Sequence, residues 1–130
     1  MKEKILIVED ELPTLKLLEE TLRMEGFEIE SAMLAREAIE KLNEIREGKA
    51  EKPILILLDL ILPDMNGIEV LKEAKKYPET KNIKIFAFTN YTDPDMNRQL
   101  IKEGVDKIIL KAEISLKELF EIIKKEILQK

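Results

Sequence analysis

Four apolar runs in this 130-residue sequence stop at polar side chains that could do chemistry together. Residues 5–8, Ile-Leu-Ile-Val, end at Glu9, Asp10 and Glu11, and Pro53-Ile-Leu-Ile-Leu-Leu ends at Asp59. A third run leads into Thr89, and a fourth into Lys111. If these ends meet, Glu9, Asp10 and Asp59 carry about −3 and Lys111 returns about +1, a cleft of roughly −2. Carboxylates that close raise one another's pKa unless a cation neutralises them. Mg²⁺ suits such a place, because it takes one or two carboxylates, a carbonyl, waters and a phosphate oxygen. An Asp59 kept ionised in this way is a nucleophile toward phosphorus, with Thr89 and Lys111 stabilising the transferring oxygens.

Each of these residues taken singly has a plainer use. An Asp after a strand commonly caps a helix, a Thr there is a β-former at a boundary, and a Lys is a solvated edge charge. Glu9, Asp10 and Glu11 would also complement the dipole of a following helix. Only their meeting on one rim argues for chemistry, so the elements that carry them decide the matter.

Those elements are legible from two alternating periods. Strands are expected at 5–8, 27–30, 54–58, 83–88 and 105–110, several almost continuously apolar, as in strands covered on both faces. Helical stripes lie between them: Leu12, Leu15, Leu18 and Leu22; Leu34, Ala38, Leu42 and Ile45; Ile68, Leu71 and Ala74. A fourth helix, around Met96, Leu100 and Ile101, is expected to open at Asp93 and Pro94 and to close at Gly104. The last carries Leu116, Leu119, Phe120, Ile123 and Ile127 on one face, and Ser115 with Glu118 forms its capping box. Five strand–helix units with right-handed crossovers give an α/β fold, (βα)5, whose doubly wound parallel five-stranded sheet has helices on both sides. Ligands of such sheets bind beyond the carboxyl ends of the strands, where all four chemical runs end.

Composition narrows the classes further. The chain has no histidine and no cysteine, which removes imidazole bases, thiol nucleophiles and disulfides from its own repertoire. A net charge of −5 argues against binding a nucleic-acid backbone. No apolar run reaches the roughly 18 residues of a membrane span, and the N-terminus has no signal-peptide pattern, so a cytoplasmic location is expected. Charged residues make up 38%, mostly Lys and Glu, beside Ile and Leu as the main aliphatics. That is a thermophile-like or designed composition.

The segments Ile5-Leu-Ile-Val-Glu9-Asp10-Glu11, Leu57-Leu-Asp59-Leu-Ile-Leu-Pro63-Asp-Met-Asn-Gly67, Phe88-Thr89 and Leu110-Lys111 together resemble the receiver domain of two-component response regulators. The resemblance covers essentially the whole chain, and Asp followed by Pro at +4 and Gly at +8 is its strongest motif. It implies a flavodoxin-like three-layer sandwich with strand order 2-1-3-4-5. It also implies Mg²⁺-dependent phosphorylation of Asp59 from the phosphohistidine of a histidine kinase or phosphotransfer protein. By position, Asp10 and Asp59 would bind the metal directly, the Ile61 backbone carbonyl would join them, and Glu9 would act through water. Lys111 would contact the phosphoryl group, and Thr89 would turn toward it on arrival. The expected organisation is a single receiver domain over 1–130 with no output domain, signalling by protein contact over the fourth helix, fifth strand and fifth helix, near Tyr91, Ile108 and Ala112.

Three positions depart from the family pattern. Ala112 follows Lys111 where the family usually has a proline in a cis bond; a trans bond is expected, since cis before a non-proline costs roughly 3 kcal/mol. Ile108 stands where an aromatic usually swings inward, and Asn90 stands where a small residue is common. Ile61 and Tyr91, at the two positions that tune phosphoryl lifetime in the family, are ill suited to orienting water, so slow autodephosphorylation is expected. The chain therefore reads as a self-phosphorylating acceptor more than a turnover enzyme. An alternative is a receiver-fold binding module or engineered scaffold with little phosphorylation-dependent function. A phosphatase resembling the haloacid dehalogenase family wants an acid two residues after its nucleophile, where Ile61 stands. A flavin-binding flavodoxin wants a neutral phosphate cradle where Glu9-Asp-Glu lies.

Overall fold

Period-two alternation within the strands decides which helices cover which face of the sheet. A computed structural model of the protein describes residues 2–128. Its strands are β1 (Lys4–Val8), β2 (Glu28–Ala32), β3 (Leu55–Leu58), β4 (Lys84–Thr89) and β5 (Lys107–Leu110). They alternate with α1 (Leu12–Met24), α2 (Ala35–Arg46), α3 (Ile68–Lys75), α4 (Pro94–Lys102) and α5 (Leu116–Ile123). The five strands pair in parallel in the order β2-β1-β3-β4-β5. This is the expected flavodoxin-like order, and it places the reversal of strand order between β1 and β3.

Leu6 and Val8 of β1, Ile56 and Leu58 of β3, and Ile85 and Ala87 of β4 point to one face. There they meet Ala38 and Leu42 of α2, Val70 and Leu71 of α3, and Leu100 of α4. The intervening residues, Ile5, Ile7, Leu55, Leu57, Phe86 and Phe88, point to the other face and pack on α1 and α5. Phe27 and Phe120 close that layer edge-to-face, with ring centroids 6.3 Å apart. Across the outer ends of α2 and α3, the Arg46 guanidinium lies 3.9 Å from the centroid of the Tyr77 ring.

The helix boundaries follow local chemistry. Asp93 caps α4 by accepting from the Met96 N–H at 2.8 Å, Pro94 occupies the first turn, and Gly104 just past its end has φ of +91°. Ser115 and Glu118 form the expected capping box on α5, with bonds of 3.1 and 2.8 Å. Past Ile123 the chain continues as a π-helical turn, Lys124–Leu128.

Some expectations shift. The second strand lies at Glu28–Ala32, one to two residues later than its apolar signal suggests, because Phe27 is buried in the core without joining the ladder. Leu12 and Ile101 belong to their helices but stand 48% and 67% exposed, off the buried stripes. Leu34 is the N-cap of α2, and Ala35 takes the buried position beneath it. No described helix is long and apolar enough to cross a membrane.

Candidate functional site

At the carboxyl end of the sheet the four runs do meet. Glu9 and Asp10 follow β1, Asp59 follows β3, Thr89 is the last residue of β4, and Lys111 opens a short 3₁₀ turn after β5. One carboxylate oxygen from each of Glu9, Asp10 and Asp59 lies within 4.8 Å of the others. Glu9, Asp59 and Thr89 are buried and Asp10 is half-buried. The three acids, with Glu11, Ile61, Asn90 and Lys111, surround a cleft of about 270 Å³.

The hydrogen bonds inside it are specific. The Thr89 hydroxyl donates to Asp59 Oδ1 at 3.0 Å, and the Ile61 N–H reaches the same oxygen at 3.3 Å. Lys111 Nζ donates to Asp59 Oδ2 at 3.3 Å and to Glu9 Oε1 at 2.5 Å. The second Glu9 oxygen accepts from the Glu11 N–H at 3.1 Å. Among the described residues no buried side-chain polar atom lacks a partner.

Burial is the largest influence on Glu9 and raises its carboxyl above the ordinary value, against the opposing pull of the Lys111 hydrogen bond and helped by the Asp59 charge. Burial also works against the Lys111 ammonium. The Glu9 hydrogen bond and the two carboxylate charges outweigh it, so Lys111 holds its proton more tightly than a free lysine. Three acids around one ammonium leave excess negative charge among oxygen ligands. That donor set fits a hard divalent cation.

The residues expected at the site separate into two groups. Glu9, Asp10, Asp59, Thr89 and Lys111 converge, and Asn90 lines their cleft. Tyr91, Ile108 and Ala112 do not form one patch. Tyr91 is 63% exposed and lines a separate hollow with Leu60, Ile61, Asn66 and Met96, although its carbonyl accepts from the Thr89 hydroxyl at 3.5 Å. Ile108 is half-buried and packs on the core beneath α2, α3 and α4. Ala112 faces a cavity of about 310 Å³ on the opposite side, beside Thr14, Leu17 and Ile114.

Two further details mark the pairing. The Thr89 hydroxyl faces Asp59, and Lys111 lies nearer Glu9 than Asp59. No cis peptide bond occurs among the described residues, so Lys111–Ala112 is trans as expected. Glu11 stands at the N-cap of α1 without a capping bond; its carboxylate instead accepts from the Thr14 hydroxyl.

The loop from Asp59 to Gly67 is closed on itself. The Gly67 N–H donates to the Leu60 carbonyl at 2.8 Å, and Ile61 bridges Asn66 in antiparallel fashion. Gly67 has ordinary helical angles, so space dictates its identity: a Cβ there would collide with the Asp59 carbonyl oxygen. At the loop tip stands a residue that the sequence motif left without a role. Asp64 accepts from the Ala35 N–H through Oδ1 and from the Arg36 N–H through Oδ2, each at 2.9 Å. Those backbone bonds, the Arg36 one foremost, hold its carboxyl below the ordinary value. The available signal was negative: α2 begins at an apolar N-cap, Leu34, which leaves its first amides without a local acceptor.

A family model described as the response regulator receiver domain matches residues 5–124. The chain is 36% identical over 109 residues to the transcriptional regulatory protein CpxR homolog of Haemophilus influenzae; the match spans 83% of this chain and 43% of that protein. It is 38% identical over 96 residues to sporulation initiation phosphotransferase F of Bacillus subtilis, spanning 74% of this chain and 71% of that protein. Among solved structures, a CheY-like receiver domain protein from Methanospirillum hungatei superposes with a TM-score of 0.86 at 31% identity, covering 98% of this chain and 94% of that one. The phosphorylated cyanobacterial phytochrome response regulator RcpA superposes with a TM-score of 0.84 at 30% identity, covering 99% and 96%. The chain belongs to the response regulator receiver domain family, the receiver of two-component signalling.

Proposed function

We propose that this receiver takes a phosphoryl group onto Asp59 from the phosphohistidine of a histidine kinase or phosphotransfer protein, and passes the signal on by protein contact. The observation that carries this reading is the pairing of a buried carboxylate with a separate donor on each oxygen: Thr89 on Oδ1 and Lys111 on Oδ2. Such an acceptor is already held in place when a donor arrives, and the same two groups can follow charge onto the phosphoryl oxygens.

In the step itself an Asp59 oxygen forms a bond to phosphorus while the phosphorus–nitrogen bond to the donor imidazole breaks. The electron pair stays on that nitrogen, and the imidazole belongs to the partner. Asp10, Asp59, the Ile61 carbonyl and, through water, Glu9 would hold Mg²⁺. When bound, Mg²⁺ offsets the surplus of carboxylate charge and stabilises the phosphoryl oxygens. Lys111 then keeps its proton and serves as the fixed cation of the cleft. Structural likeness to RcpA, which was solved in its phosphorylated form, supports the chemistry.

Release is proposed to be slow. Ile61 is 57% exposed and Tyr91 63%, and neither presents a group that would orient water against the acyl phosphate. For output we propose the face of α4, β5 and α5, where Ile101 stands free of the core. A second reading, a receiver-fold binding module, is favoured by the tight Lys111–Glu9 pair, which leaves Asp59 as the lysine's more distant partner.

Incubation with acetyl phosphate and Mg²⁺ followed by intact-mass spectrometry tests the proposal. One phosphoryl adduct on the wild type, none on Asp59→Asn, and a lifetime far beyond seconds is the expected result. Absence of the adduct from both proteins overturns it. Partner affinity that is indifferent to Asp59→Asn supports the second reading.

A further inference from the structure

We infer that Asp64 is a positioning residue for the metal and acceptor site, acting by clamping the tip of the Asp59–Gly67 loop onto the N-terminus of α2. The inference rests on the proposed phosphorylation of Asp59 with Mg²⁺, and it adds a residue to which the motif gives no task. Asp64 stands five positions past Asp59, but its hydrogen bonds reach 28 and 29 residues back along the chain, to Arg36 and Ala35. Both carboxylate oxygens are used, one per amide, at equal distances of 2.9 Å. A two-point contact fixes direction as well as distance.

The loop needs such an anchor at this place. Its base is already fixed: the Gly67 N–H on the Leu60 carbonyl and the Ile61–Asn66 bridge hold the two arms together. Those bonds lie within the loop and cannot set where the loop stands over the sheet. Asn66 spends its side chain on the Ile68 N–H at 2.8 Å, which starts α3. Leu62 gives the tip an apolar foothold on the core beneath α2, but such contact is not directional. Asp64 supplies the direction. Asp59 itself is tied to β1 by its N–H on the Val8 carbonyl at 2.9 Å, but the Ile61 backbone lies further along the loop, so a tip that swings free takes that proposed ligand with it.

Helix α2 gains from the same contact. Leu34 contributes no capping side chain, and the Glu37 carboxylate is engaged upstream with the Met33 N–H at 3.0 Å. Asp64 thus serves two ends at once, and a test must separate them. Removing Asp64 uncaps a helix and releases a loop; restoring a cap from within α2 repairs only the first.

The experiment compares wild type, Asp64→Ala, Asp64→Asn, and Asp64→Ala combined with Leu34→Ser. Serine at position 34 offers α2 an N-cap hydroxyl of its own. For each protein, Mg²⁺ affinity is measured by calorimetry, thermal midpoint by circular dichroism, and the rate of adduct formation with acetyl phosphate by intact mass. Asp64→Ala is expected to lose about tenfold in Mg²⁺ affinity, the lower end of what supporting residues around metal ligands contribute. Adduct formation at subsaturating Mg²⁺ should slow in parallel. Adding Leu34→Ser should recover thermal midpoint while Mg²⁺ affinity stays low. Asp64→Asn keeps one acceptor oxygen and should fall between wild type and Asp64→Ala; it also carries the test if the alanine variant does not fold.

Wild-type Mg²⁺ affinity in a folded Asp64→Ala or Asp64→Asn protein overturns the inference. So does recovery of affinity together with thermal midpoint in the Leu34→Ser combination, which would make Asp64 a helix cap and nothing more. A wild type that binds Mg²⁺ but takes no phosphoryl group defeats the proposed function while the affinity series still decides the role of Asp64. A wild type that binds no Mg²⁺ defeats both.

Discussion

Lys111 holds two carboxylates, and the shorter bond goes to the more buried one, Glu9. Replacing it with methionine leaves the buried Glu9 carboxyl without its cation. Removing one partner of a buried pair costs about 3 kcal/mol, so urea unfolding at pH 7 should show Lys111→Met less stable by about that much, with part recovered by adding Glu9→Gln. The sign with pH follows from the raised Lys111 value. Its contribution is complete below the ordinary 10.5 and is lost as pH rises through the higher folded value. Wild type should therefore lose stability above that point faster than Lys111→Met. Asp64 runs the other way, because its folded value is depressed. Its contribution is present above the ordinary 3.8 and disappears as acid titrates the folded carboxylate, so the stability gap between wild type and Asp64→Ala should narrow below pH 3.8. At this scale the identities of the site were legible, since each of Asp59, Thr89 and Lys111 breaks an apolar run. Their pairings were not. The Lys111–Glu9 bond joins residues 102 positions apart, and neither residue type states which carboxylate the ammonium will prefer.

Among the elements, the β3–α3 loop is the least forgiving. Gly67→Ala puts a methyl group against the Asp59 carbonyl oxygen, and backbone on both sides of that contact has nowhere to yield. We expect a loss of about 3 kcal/mol or more in urea unfolding, with displacement of the Asp59 amide resonance, since overpacking costs 1–3 kcal/mol even where side chains can give way. Ser115→Ala on α5 is a milder change. It removes one half of the capping box, so about 1 kcal/mol should be lost in the same assay, with Asp59 phosphorylation unchanged. Boundaries with their own chemistry, Asp93-Pro94 and Ser115–Glu118, were readable in advance. The start of α2 was not, because its cap comes from another element. The second strand was read early because β2 sits at the sheet edge, where its largely half-exposed residues alternate weakly and buried Phe27 supplies the strongest local apolar signal.

Over the whole molecule, a single sheet carries two separate apolar layers, and the site lies where both end. The β3 and β4 runs were legible as strands for that reason: sheathed on both faces, they are almost wholly apolar. The same construction ties ligand binding to global stability. A cation that binds only the folded cleft stabilises it by about 2.7 kcal/mol at a hundredfold excess over its dissociation constant. Added Mg²⁺ should therefore raise the thermal midpoint of the wild type, chelator should reverse the rise, and Asp59→Asn should blunt it. The sequence contains two tyrosines and no tryptophan, and the fold treats them oppositely. Tyr77 lies under the Arg46 guanidinium at the far side of α2 and α3, whereas Tyr91 is open to solvent in the hollow beside the acceptor cleft, its carbonyl accepting from the Thr89 hydroxyl. A Tyr77→Phe protein thus becomes a molecule with one tyrosine emitter, seated two residues from Thr89, and its tyrosine fluorescence follows events beside the cleft without any attached dye.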